Sequence, residues 1–71
     1  MLMAEKIRIV LVKRGNMSEA DLARLLQTSP QNINKKMRRD NFSEEDLIKI
    51  ADALNCTYEP RFKLNDTGEY V

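Results

Sequence analysis

The stretch Ser18-Glu19-Ala20-Asp21-Leu22-Ala23-Arg24-Leu25-Leu26-Gln27-Thr28-Ser29-Pro30-Gln31-Asn32-Ile33-Asn34-Lys35-Lys36-Met37-Arg38-Arg39 decides the fold. It holds two helix starts separated by a break too short for an ordinary loop. Ser18 is followed three places later by Asp21, the spacing of a capping box. Ser29 is followed by Pro30, whose missing N–H costs nothing at a first helical position. The spacing predicts helices over 19–26 and 30–38, joined only by Gln27, Thr28 and Ser29. Two short helices joined that closely cross steeply and share one core. Leu22, Ala23, Leu26 and Ile33 supply that core, and Ala23 is small enough to let the helices approach.

Outward from this pair the same grammar recurs. Ser43 precedes Glu44-Glu45-Asp46-Leu47, again with an acid three places on, and predicts a helix over 44–55. Met17 and Phe42 stand just before their caps and are expected to staple against Leu22 and Leu47. Leu47, Ile48, Ile50, Ala51 and Leu54 make this a core helix, and its acids favour the positive end of their own helix. Upstream, residues 7–12 are rich in β-branched side chains and read alone as a strand. The helical spacing of Met3, Ile7, Val10, Leu11 and Arg14 favours a helix over 3–14, ended by Gly15. Leu2, Ile9 and Val12 then form a second apolar strip, needing cover from the C-terminal segment or another subunit. After Asn55 the period changes: Tyr58, Pro60, Phe62 and Leu64 alternate with charged residues. This predicts an edge strand, with a turn at 65–68 and a short return strand or frayed tail.

On a helical wheel of about 100° per residue, Ile33, Met37 and Pro30 face the core, while Gln31, Lys35 and Arg38 point outward. Asn32, Asn34, Lys36 and Arg39 flank them. A Lys-Lys-Met-Arg-Arg run by itself reads equally well as a solvated face. Amides beside cations on one face favour a further reading. Gln and Asn pair with adenine in the major groove, and Arg and Lys with guanine or phosphate. Ser29 and the first amides of the helix can meet a phosphate.

Charge distribution agrees. Residues 1–39 hold nine basic and three acidic side chains, whereas residues 40–71 hold three basic and eight acidic. The overall +1 hides a basic half that attracts a polyanion and an acidic half that repels one. The other chemistries lack their parts. There is no histidine, Cys56 is the only cysteine, and no glycine-rich phosphate loop occurs. No cofactor, metal site, small-molecule pocket or enzymatic activity is expected, and Cys56 reads as a small, partly buried hydrophobe. No segment is long and apolar enough to span a bilayer, and the apolar run at 7–12 lacks a cleavage site, so a cytoplasmic location is expected. At 71 residues, the chain is expected to form a single domain over 1–71, with a core at about 5–55 and an extension at 56–71. Met1 and an intact-looking tail favour a whole protein.

The stretch from Ser18 to Asn34 resembles the Cro and lambda-repressor type of helix-turn-helix domain, the XRE family, over residues 5–55. Ala23 holds the small position of the family's second helix and Ile33 the apolar position of its third. The resemblance implies a mainly α, lambda-repressor-like four-helix domain, to which this chain adds the C-terminal β-strand or hairpin segment. It further implies sequence-specific binding of double-stranded DNA as a homodimer, and transcriptional control of the phage or mobile-element type, with repression expected. The DNA-binding residues expected are Ser29, Gln31, Asn32, Asn34, Lys35, Lys36, Arg38 and Arg39, and the dimer is expected to form through Tyr58, Phe62 and Leu64. Two residues depart from the family pattern. Gln27 stands where glycine usually takes a left-handed turn, and Glu19 stands where a glutamine usually holds a phosphate. The alternative is a protein-interaction module of the same fold, such as an antitoxin-like or anti-repressor partner; the amide and cationic face favours DNA.

Overall fold

The computed structural model describes residues 2–71. Met1, on which the expectations for the chain's start rest, lies outside the described residues. Four helices follow in order: α1 Met3–Lys13, α2 Glu19–Leu25, α3 Pro30–Arg39 and α4 Glu44–Ala53. The β-branched run of 7–12 is helical because Ala4, Ile7 and Leu11 bury one stripe of α1 in the core. Leu22 and Ala23 of α2, Ile33 and Met37 of α3, and Ile50 and Leu54 complete that core. Met17 and Phe42 pack against its edge.

Two expected core residues are outside. Pro30 is exposed, because the first helical position lies ahead of the turn that reaches the core. Ile48 is 45% exposed, because it sits about 160° around α4 from Ile50.

Three helices end the same way. The chain turns left-handed at Gln27, Asp40 and Asn55, with φ of 56°, 49° and 56°. The next N–H then closes back on a carbonyl of the last turn: Thr28 on Ala23, Asn41 on Lys36 and Cys56 on Ala51. These are Schellman closures, which satisfy carbonyls the helix leaves open. α1 ends instead on two left-handed residues, the expected Gly15 at φ 90° and then Asn16 at φ 56°, and the Met17 N–H reaches back to the Leu11 carbonyl.

The helices also cap one another. Leu2 offers α1 no side-chain cap. Asp40, 36 residues away, supplies it, its Oδ1 accepting from the Ala4 N–H at 2.7 Å. At the other end of α1, Arg14 donates from Nε to the Leu54 carbonyl at 2.8 Å and from Nη2 to the Asn55 carbonyl at 3.0 Å. A cation beside those carbonyls also suits the negative end of α4.

The expected C-terminal strand is not there. Among the described residues the segment after α4 holds one isolated antiparallel bridge, Lys63 with Tyr70. Phe62 and Val71 exchange N–H···O bonds of 2.8 and 2.6 Å around it, and Leu64 donates to Glu69 at 2.7 Å. Pro60 has no N–H to give a ladder, and two residues per side cannot sustain a strand without a third neighbour. Tyr58 is half-buried against the groove between α1 and α4, whereas Phe62 is 80% and Leu64 41% exposed. The three aromatic and aliphatic residues assigned to dimerisation therefore do not share a strand face. This segment does not cover Leu2 and Val12, which remain 58% and 62% exposed. It stands off as an arm, and the radius of gyration is 13.7 Å where a compact chain of this length has about 11 Å.

Candidate nucleic-acid interface

Three features fix α3 as a projecting helix. Ser29 Oγ accepts from the Asn32 N–H at 3.1 Å, and Pro30 opens the first turn. Asp40 ends it. Ile33 and Met37, each 3% exposed, hold it to the core by one narrow stripe. The turn between α2 and α3 runs through the left-handed Gln27, so the family's glycine position carries the expected geometry with a side chain added. Close helix approach follows from Ala23, which is fully buried.

The remaining surface of α3 carries no acid. Gln31, Asn32, Asn34, Lys35, Arg38 and Arg39 are exposed. Gln31, Asn34 and Arg38 border a cleft of about 410 Å³ on the side of α1 and α2, shared with Arg8 and Glu19. Arg8 is the residue that sequence reading missed. It is the one charge interrupting the apolar run of α1, and only the packing of α1 shows that it meets this face. Ser29 uses a lone pair in its cap, which leaves its hydroxyl proton free to donate. The Gln31 N–H has no partner within the helix, as first-turn amides do not.

Two expected site residues are already engaged. The Asn32 amide donates from Nδ2 to Thr28 Oγ1 at 3.0 Å, bracing the turn and leaving its oxygen open. Lys36 is half-buried and turned toward α4, its Nζ 2.8 Å from Asp46 Oδ2. The Lys36 ammonium and the Ser43 N–H hold the Asp46 carboxyl below its ordinary range. In α2 the Ser18 N–H does the same for Asp21. Both acids close the capping boxes expected of them.

Glu19 is half-buried at the start of α2, beside the cleft. It brings negative charge to the place where the family's glutamine holds a phosphate. Among the described residues no group of histidine, cysteine or acidic side chains is arranged to hold a metal, and no helix is long and apolar enough to cross a membrane.

A short capped helix, a left-handed turn and a second helix with an acid-free, amide and cationic face define a helix-turn-helix DNA-binding domain. The family described as the Cro/C1-type HTH DNA-binding domain matches residues 6–59, and the chain belongs to it. The match runs from α1 to just beyond α4 and leaves the C-terminal hairpin outside. No curated protein and no solved structure matches the chain.

Proposed function

We propose that this chain is a transcriptional repressor that places α3 in the major groove of a two-fold operator. The observation that carries the reading is the face of α3: exposed Gln31, Lys35, Arg38 and Arg39 around an open Asn34, with no acid among residues 30–39. Gln31 and Lys35 reach base edges, and the free oxygen of Asn32 accepts from a base amino group. Arg38 and Arg39 anchor phosphates, joined by Ser29, the Gln31 N–H and Arg8. Asn34 lies at the border of the cleft and contacts the sugar-phosphate edge. Repression requires only that the operator be occupied.

The active form is a homodimer, with two copies of α3 about 34 Å apart in successive major grooves. The uncovered strip of Leu2, Ile9 and Val12 and the exposed Phe62 and Val71 support this, since a chain this small gains stability by burying them.

Selection from a random duplex-DNA library at about 150 mM salt tests the proposal. A two-fold motif with half-sites about one helical turn apart is expected. Weak, salt-sensitive binding with no enriched motif would overturn it in favour of a protein-interaction module.

A further inference from the structure

Lys36 lies on the DNA-binding helix yet points away from the groove-facing crest. Its ion pair with Asp46, at 2.8 Å, is the one that joins two helices among the described residues. The other two, Arg24 with Asp21 and Lys49 with Glu45, lie within single helices. The Lys36 and Asp46 side chains are 31% and 29% exposed, against 65% and 78% for Lys49 and Glu45. Solvent screens the inter-helix pair less.

The acceptor is fixed before Lys36 arrives. Asp46 Oδ2 takes the Ser43 N–H at 3.0 Å, and the Asp46 N–H returns to Ser43 Oγ at 3.0 Å. A carboxylate locked in a capping box loses little further freedom when it accepts a cation. The donor also spans a place where packing is thin. α3 rests mainly on α2, and backbone contact between α3 and α4 is slight. Between them lies a gap of about 160 Å³. Leu26, Ile33 and Ile50 close its inner side as part of the core, and Thr28, Asn32, Lys36, Asp46 and Lys49 form its polar rim. The ion pair bridges that rim.

We propose that Lys36 and Asp46 form a strut that sets the angle of α3 against α4, so that Lys36 is a positioning residue for DNA recognition and not a phosphate contact. The proposal rests on the DNA-binding reading of α3. Its consequence is opposite in sign to that of an anchor. A phosphate anchor must leave Asp46 when DNA binds, so removing Asp46 would release it and tighten binding. A strut loses its function from either end.

The test is equilibrium binding of the wild type, Lys36→Gln, Asp46→Asn and the double variant, to the selected duplex and to random duplex, across a salt series. The amide oxygen that Asp46→Asn introduces can still accept the Ser43 N–H, so the capping box survives, while the charge that holds the Lys36 ammonium at that oxygen is removed. Ser43→Ala, which weakens the box and spares the strut, controls for stability alone and is expected to leave affinity unchanged. Both single variants are expected to weaken specific binding by about fivefold. The double variant is expected to be no worse than either single. Non-specific binding and the slope of log K against log salt stay at wild-type values, so the specificity ratio falls. The strut is overturned if Lys36→Gln flattens that slope by about one unit and Asp46→Asn tightens binding. A wild-type chain that binds no duplex overturns the DNA-binding reading, and the strut's role with it. Wild-type binding with anchor-like variants overturns the strut alone.

Discussion

Gln27 occupies a left-handed backbone position that costs an L-residue on the order of 1–2 kcal/mol. Asp40 and Asn55 hold the equivalent places at the ends of α3 and α4, and Asn and Asp tolerate them better. Gln27→Gly is therefore expected to raise stability by about 0.5–1 kcal/mol, after the extra entropy of an unfolded glycine is deducted. The check is a urea midpoint that moves up at constant m. Asp40 separates two roles at one site. Asp40→Gly keeps the left-handed turn and deletes the cap on Ala4, at an expected cost of about 1 kcal/mol. Asp40→Asn keeps both and should melt close to the wild type. The strain at Gln27 was legible, because the resemblance marks that position as one for glycine. The cap from Asp40 was not, because no local pattern links residues 36 positions apart.

For the elements, caps and apolar spacing were enough. The three serines start α2, α3 and α4 as expected, and every helix boundary falls within two residues of its prediction. Ile48 misled because composition, not its place on the wheel, put it in the core. The C-terminal alternation misled for a related reason. Period two identifies a strand only where a neighbour accepts its ladder, and none lies beside residues 58–61. Within α3 the wheel ranked outward residues correctly, but side-chain direction was beyond it, so Lys36 read as exposed. Gln31→Ala is expected to cost about 1–3 kcal/mol at the selected site and to relax one position of the motif. Arg38→Ala should weaken all duplexes alike and flatten the salt slope by about one unit. α4 adds a pH dependence. Asp46 has a carboxyl pKa below the ordinary value in the folded chain, so its stabilising effect is complete above that value and fades as pH falls through the lowered one. The melting-temperature gap between wild type and Asp46→Asn should hold from neutral pH down to about 4 and narrow below it.

Across the whole molecule, charge and shape divide the chain in the same direction. Net positive charge belongs to residues 1–39 and net negative charge to residues 40–71, so the half that presents α3 is also the half that attracts a polyanion. At the far end of the chain the hairpin packs mainly on itself, with Arg61 4.5 Å above the Tyr70 ring. Phe62→Ser should leave the melting temperature of dilute protein nearly unchanged, since the side chain is 80% exposed. If the hairpin joins two copies, the same change should shift the sedimentation profile toward monomer at high micromolar concentration. A wild-type dimer that the change leaves unshifted would place the contact on Leu2, Ile9 and Val12, and a wild-type monomer at that concentration would overturn the dimer.

The bond from Ala4 to Asp40 has one further consequence. First-turn amides of a helix lack partners within it, and they trade their protons with water quickly. This one is sealed by a residue from the end of α3. Its proton can leave only when the two ends part. The deuterium uptake of a single backbone position thus becomes a gauge of how firmly α1 is seated, readable in the free protein and again with duplex DNA added.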